Sequence, residues 1–211
     1  MVDDPLPLVA LFTRAGALGR VKTRLAAAIG ERAALAAHDA LLDAAIERLR
    51  DSDEYELELH VDGDATRLRR HGLSIRAQVA GDLGARMHAS IATAVDAGRI
   101  GIVVGGDCPL LDRAHVVAAI RALRRDADVA VVPAEDGGYV LVGMRRCSAS
   151  LFERIDWGTD RVLAQTLARA REQDLRVALQ APLWDVDDEA GYRRWRALGA
   201  RVKPSDARSL E

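Results

Sequence analysis

Short apolar, β-rich runs alternate with alanine- and leucine-rich helical patterns along nearly the whole chain, and this alternation most restricts what it can fold into. Strands joined through helices lie parallel, because a parallel pair needs a long crossover. Residues 7–13, 55–61, 74–79, 100–105, 128–133, 139–144 and 176–181 read as strands. Residues 33–50, 66–71, 83–97, 113–125, 160–173 and 188–198 read as helices, and Arg48 and Arg50 suit the end of the first of these. Residues 55–61 alternate Tyr, Leu, Leu and Val against Glu, Glu and His, the pattern of a strand with one buried face, nearer the sheet edge. Only a few residues, around Gly137 and Gly138, separate 128–133 from 139–144, which predicts one antiparallel excursion. The expected fold is α/β: a three-layer α/β/α sandwich around a mostly parallel mixed sheet.

The 211 residues suit one domain, expected over 1–202, with a polar tail at 203–211. Apolar residues make up 49%, enough for a sizeable core. Thirty basic against thirty-two acidic side chains leave a formal charge of −2, which argues against a coat for nucleic acid or an anionic membrane. Cys108 and Cys147 form no C-x-x-C pair, so neither a disulfide framework nor a cysteine zinc site is expected. No apolar run approaches the ~20 residues of a membrane span, and Met-Val-Asp-Asp-Pro lacks the basic region of a signal peptide. A cytoplasmic protein is expected. Of the basic residues only Lys22 and Lys203 are lysine. Where arginine is used so freely, a retained lysine points to a need for a compact ammonium. Lys203 lies in the polar tail, whereas Lys22 lies in a glycine-containing loop.

Ligands of open α/β sheets bind beyond the carboxyl ends of the strands, and unusual polar residues gather there. Arg14, Gly16, Gly19, Arg20, Lys22 and Arg24 follow the first strand, and Gly106 and Asp107 follow 100–105. Glu135, Asp136, Gly137, Gly138 and Tyr139 follow 128–133, while Asp185, Asp187 and Asp188 follow 176–181. One basic and three acidic segments therefore converge on one rim. A glycine loop admits backbone N–H groups to phosphate oxygens, and Arg14, Arg20, Lys22 and Arg24 can neutralise phosphate charge. Carboxylates facing that loop suit Mg²⁺ or Mn²⁺, which bridges to phosphate oxygens. Plainer readings exist: a solvated turn for the basic loop, an N-cap for Asp107, a hairpin turn at Asp136, and helix-dipole partners at Asp185, Asp187 and Asp188. Capping at Asp107 does not explain why the other strand ends are acid-rich too. No G-x-G-x-x-G follows a strand, and Val21 and the spacing around Gly16, Gly19 and Lys22 break the P-loop pattern.

Five segments occur in order: Gly-Arg-Val-Lys-Thr-Arg-Leu at 19–25, Gly-Asp-Leu-Gly-Ala-Arg-Met at 81–87, Gly-Asp-Cys-Pro-Leu at 106–110, Asp-Gly-Gly-Tyr at 136–139 and Asp-Val-Asp at 185–187. Together they resemble the nucleotide-diphospho-sugar transferase superfamily. More closely they resemble the bacterial glycosyltransferase family linked by name to arsenosugar biosynthesis, a relative of the molybdopterin and phospholactate guanylyltransferases. The resemblance runs over about residues 8–198. It implies a fold of that type with a nucleotide site on the N-terminal half. Asp107 matches the mid-chain metal aspartate, and Asp185 or Asp187 the second metal carboxylate. Arg14, Gly19, Lys22 and Arg24 match the phosphate-facing loop, and Asp82 and Arg86 a segment near the nucleotide. Asp136, Gly137, Gly138 and Tyr139, with Trp157 and Thr159, match the acceptor side. Gly16, Ala85, Gly158 and Asp188 depart from the pattern, which has proline, glutamate, serine and threonine there, so no acid or hydroxyl role falls on 85 or 158.

These readings lead to a metal-dependent transferase with Lys22, Asp107 and Asp136 as catalytic candidates and Mg²⁺ or Mn²⁺ as cofactor, the ion lying between the cationic loop and the aspartates. Its expected partners are a nucleotide sugar or nucleoside triphosphate and a small-molecule acceptor, with no nucleic acid or membrane; a homodimer is left open. A glycosyltransferase with a nucleotide-sugar donor is the leading expectation. The alternatives are a nucleotidyltransferase of guanylyl or cytidylyl type that releases pyrophosphate, and a nucleotide-binding module without turnover.

Overall fold

The computed structural model describes residues 5–201, so the tail expected at 203–211 lies outside the described residues. The strands are β1 (Leu8–Arg14), β2 (Glu56–Asp62), β3 (Ser74–Ala77), β4 (Gly101–Gly105), β5 (Val129–Pro133), β6 (Tyr139–Met144) and β7 (Val177–Leu179). The helices are α1 (Thr23–Ile29), α2 (Glu31–Leu49), α3 (Leu83–Asp96), α4 (Arg113–Arg125), α5 (Val162–Glu172) and α6 (Glu189–Arg201), with 3₁₀ turns at Thr66–His71 and Ala149–Phe152. One sheet has the order β3-β2-β1-β4-β6-β5-β7. Only β6 runs against the others, paired antiparallel with both β4 and β5, which is the excursion the Gly-Gly turn predicts.

Strand periodicity sorts the core into two layers. Val9 and Leu11 of β1 and Ile102 and Val104 of β4 face Leu42 and Ile46 of α2 and Val116 and Ile120 of α4. Ala10, Val103 and Val131 face the opposite way, onto Met87 and Ile91 of α3 and Ala170 of α5. Helix α6 lies outside these layers, where Tyr192 and Trp195 pack on Leu25 of α1 and Ala34 and Ala37 of α2.

Two local expectations are corrected. Thr23–Ile29 is a helix where a loop was expected; it carries no side-chain cap and no acidic first turn, and Gly30 at φ 85° divides it from α2. Strand β2 does not present a solvated face, since Glu58 and His60 are both buried. Arg76 of β3 donates to Glu58 at 2.7 Å, and His60 stacks on Phe12 at 5.7 Å, so a polar face is covered by paired charge and an aromatic ring.

Connectivity places the functional crevice. The chain leaves β1 toward β2 and β3 on one side, whereas β4 pairs with the other side of β1. Loops leaving adjacent strands in opposite directions open a gap at their carboxyl ends. The gap falls between the segments after Arg14 and after Gly105.

Candidate active site

The segment after β1 crosses this gap and ends at Lys22, which is the N-cap of α1 in a left-handed conformation, φ 50° and ψ 46°. A non-glycine residue held there is costly unless its surroundings fix it. Lys22 Nζ donates to Asp107 Oδ2 at 2.7 Å and to Asp187 Oδ1 at 2.8 Å, with the lysine side chain only 6% exposed. Burial alone would lower the pKa of this ammonium, but the carboxylates of Asp107 and Asp187 outweigh it, and the value is pushed up to about 12. Arg24, on the first turn of α1, donates to the other oxygen of Asp187 at 2.9 Å. Burial would raise the Asp187 carboxyl, and Lys22 and Arg24 more than reverse this, holding it below its usual range.

Asp107 is not a helix cap. Asp112 caps α4, accepting from the backbone N–H of His115 at 3.2 Å in a capping box. The loop between them is fixed by Arg48 of α2, which donates to the carbonyls of Cys108 at 3.0 Å and Leu111 at 2.9 Å. In the sequence Arg48 is only a charge suited to a helix end, and nothing local reveals its loop partners. The Val186 N–H donates to the Asp107 carbonyl at 3.1 Å and so draws 185–187 against this loop. Asp188, in contrast, spends its carboxylate on the first turn of α6, accepting from the Gly191 N–H at 2.9 Å. The acidic run thus divides: one aspartate caps a helix and two face the crevice.

Carboxylate oxygens of Asp107, Asp185 and Asp187 lie within 4.8 Å of one another. Burial, followed by the neighbouring charges of Asp107, Asp187 and Asp136, pushes the Asp185 carboxyl up to about 7, with Lys22 opposing. The pair that Lys22 forms with Asp107 leaves no room for an ion directly between those two atoms, where one was expected. A divalent ion instead fits the triad itself, a hard oxygen set whose third member lacks a cationic partner of its own among the described residues.

The triad opens into a cleft of about 930 Å³. Four cationic side chains line it, Arg14, Lys22, Arg24 and Arg86, against six acidic ones, Asp82, Asp107, Asp136, Asp160, Asp185 and Asp187. Such a balance repels a polyphosphate unless a divalent ion joins it. Arg14 is 67% exposed and reaches only to 3.9 Å from Asp62, so its guanidinium remains available. Gly19 turns the loop at φ 72°. Asp82 is committed as the N-cap of α3, accepting from the Ala85 N–H at 2.8 Å. Arg86 is pinned to Asp62 at 2.6 Å and to the Gly81 carbonyl at 3.0 Å.

At the other end, Asp136 accepts from the Gly138 N–H at 2.9 Å, the turn role its sequence suggested, while still lining the cleft. Gly137 lies so close to the backbone of Asp160 that a Cβ would stand 2.2 Å from its carbonyl oxygen. Tyr139 and Trp157 meet edge to face at 6.4 Å, and among the described residues neither the Tyr139 hydroxyl nor the Trp157 indole N–H has a hydrogen-bond partner. The Thr159 hydroxyl donates to the Asp156 carbonyl at 2.8 Å. Arg14, Lys22, Arg24, Asp82, Arg86, Asp107, Asp136, Gly138, Tyr139, Trp157, Thr159, Asp185 and Asp187 all line this one cleft, whereas Gly16, Gly19, Arg20, Glu135, Gly137 and Asp188 do not.

A model of a family described as an uncharacterized protein conserved in bacteria (DUF2064) matches residues 45–159, just over half of the chain. No curated protein matches the sequence. Among solved structures, a Desulfovibrio desulfuricans G20 protein provisionally named a nucleotide-diphospho-sugar transferase is 27% identical. It aligns over 86% of this chain and 82% of its own with a TM-score of 0.78. A CMP:2-keto-3-deoxy-manno-octonic acid synthetase complexed with CTP is 14% identical, with 93% and 99% covered and a TM-score of 0.62. Rv0371c of Mycobacterium tuberculosis H37Rv, in a complex with manganese, is 18% identical, with 89% and 97% covered and a TM-score of 0.57. The chain therefore has the α/β sandwich of the nucleotide-diphospho-sugar transferases. No helix among the described residues is long and apolar enough to cross a membrane.

Proposed function

This chain belongs to the DUF2064 family of bacterial proteins, and on that premise we propose that it is a metal-dependent transferase acting on a nucleotide-activated substrate. The observation that carries the reading is the meeting of Lys22, Asp107, Asp185 and Asp187 at the carboxyl ends of adjacent strands. Asp107, Asp185 and Asp187 would hold Mg²⁺ or Mn²⁺. When bound, the ion supplies positive charge to the phosphate oxygens of the donor and to the departing group.

The remaining work falls to the protein's own side chains. Arg14 offers an exposed guanidinium, only distantly paired with Asp62, for a phosphate oxygen. Lys22, charged at any physiological pH, would stabilise negative charge that develops on the leaving phosphate while holding Asp107 and Asp187 in place. Gly137, Gly138, Tyr139, Trp157 and Thr159 would form the acceptor end, with Asp136 positioned to take the acceptor's proton. The gain comes from alignment of two substrates and a prearranged field.

Within this class the donor is taken to be a nucleotide sugar, as in the glycosyltransferases linked by name to arsenosugar biosynthesis that the motifs resemble. The likeness to a nucleotide-diphospho-sugar transferase supports this. A second reading, nucleotidyl transfer from a nucleoside triphosphate, is favoured by the likeness to a CTP-complexed synthetase and by the cations around Lys22. The two break different bonds, so the products separate them. Glycosyl transfer releases a nucleoside diphosphate, and nucleotidyl transfer releases pyrophosphate. Incubation with nucleotide sugars and with triphosphates, in the presence of Mn²⁺ and candidate acceptors, is expected to yield the diphosphate; pyrophosphate would overturn glycosyl transfer in favour of the second reading.

A further inference from the structure

The aspartates of the triad repel one another, yet Asp185 and Asp187 lie on an irregular segment between β7 and α6. Something must hold that segment closed. Arg194 of α6 touches it and its neighbour at once. Its guanidinium carbon lies 4.3 Å over the ring of Trp184, the residue before Asp185. The same guanidinium grips both carboxylate oxygens of Glu135, the residue before Asp136, at 2.6 and 3.2 Å.

The two loops are also stitched by backbone. The Leu183 N–H donates to the Pro133 carbonyl at 2.9 Å, and the Glu135 N–H to the Leu183 carbonyl at 2.8 Å. Trp184 is 5% exposed and Val186 fully buried, so a shift of the indole carries the adjoining aspartates with it. Helix α6 in turn rests through Tyr192 and Trp195 on α1, whose N-terminus carries Lys22 and Arg24.

We propose that Arg194 is a positioning residue that fixes the Asp185–Asp187 segment through Trp184 and Glu135, and thereby sets the affinity of the triad for a divalent ion. The inference rests on the reading of the triad as a metal site. Arg194 and Glu135 are each about half exposed, and exposed ion pairs add little to stability. A planar guanidinium that stacks on one residue and chelates another does, however, fix geometry, and lysine cannot reproduce it. Residues that orient metal ligands without touching the metal change affinity by about 10–100-fold when lost.

The test measures Mn²⁺ binding directly, by the loss of the free-ion electron paramagnetic resonance signal, on the full chain without substrate. The proteins are the wild type, Arg194→Ala, Arg194→Lys, Glu135→Gln and Asp185→Asn. Arg194→Ala is expected to weaken Mn²⁺ about 10-fold or more, Arg194→Lys and Glu135→Gln to fall between it and the wild type, and melting temperatures without metal to stay within about 2 °C. Wild-type affinity in Arg194→Ala and Glu135→Gln, with binding lost in Asp185→Asn, would overturn the positioning role and leave the metal site standing. Absence of Mn²⁺ binding by the wild type would overturn both. Glu135→Gln, which preserves shape, decides the matter should Arg194→Ala fail to fold.

Discussion

Lys22 Nζ lies 2.7 Å from Asp107 Oδ2 across 85 residues of intervening chain. The two side chains meet because β1 and β4 are paired neighbours whose following loops leave in opposite directions, and each loop must cross the carboxyl end of the sheet. A left-handed backbone at Lys22 then turns the ammonium inward, where two carboxylates keep it charged.

Replacing Lys22 therefore acts on the site more than on the fold. Lys22→Met is expected to lower turnover by about 100-fold, the scale of losing one prearranged charge. Lys22→Arg is expected to restore little, since a forked guanidinium cannot occupy the point between Asp107 and Asp187. Steady-state rates alongside circular dichroism check both outcomes.

Asp185 gives a pH signature. Its folded carboxyl is raised from 3.8 to about 7, first by burial and then by Asp107, Asp187 and Asp136. Between those values the folded state holds a proton that the unfolded state releases, so stability falls as pH rises and the loss is complete above about 7. The metal-free Asp185→Asn variant should melt above the wild type at pH 8, and the gap should close below pH 4. Mn²⁺ should raise the melting temperature of the wild type at pH 8 but not that of the variant. Thermal scans at the two pH values, with and without Mn²⁺, measure each effect.

Gly84 tests the proposed acceptor end. A Cβ there would stand 2.6 Å from Trp157 Cζ2 and 2.9 Å from the Phe152 carbonyl oxygen, and one of these is backbone. Gly84→Ala should cost about 1–3 kcal/mol and should displace Trp157. Chemical denaturation gives the first, and a changed tryptophan emission the second.

Much of this architecture was legible because the governing signals are local. The apolar runs in β1, β4 and β5 declare buried strands, and the Asp136-Gly137-Gly138 turn declares the antiparallel pair. Helix α1 was not legible, since its seven residues lack a capping side chain and Lys22, which starts it, takes a left-handed backbone that non-glycine residues seldom adopt. Buried Glu58 and His60 misled for a similar reason: their partners, Arg76 and Phe12, come from neighbouring strands. At the site, the residue types after each strand end indicated phosphate and metal chemistry. What sequence could not apportion was the acidic run, where Asp188 caps a helix while Asp185 and Asp187 face the cleft, a division set by one hydrogen bond from Gly191. Arg48 and Arg194 were hidden because they act on loops distant in sequence.

Asp107→Ala removes one member of the triad while leaving the Asp112 cap and the Arg48 contacts in place. The variant is expected to stay folded and to lose Mn²⁺-dependent turnover by about 100-fold or more. Unchanged rates would exclude Asp107 from the ion's ligands.

Calorimetric titration of nucleotides, GTP, CTP, UDP-glucose and GDP-mannose in turn, into the wild-type protein with Mn²⁺ and again with a chelator is the most direct measurement. With six acidic side chains facing four cationic ones in the cleft, at least one nucleotide should bind with Mn²⁺ and bind about 100-fold more weakly without it. Equal affinity under the two conditions would contradict a metal-bridged phosphate site and leave a binding module that is indifferent to metal.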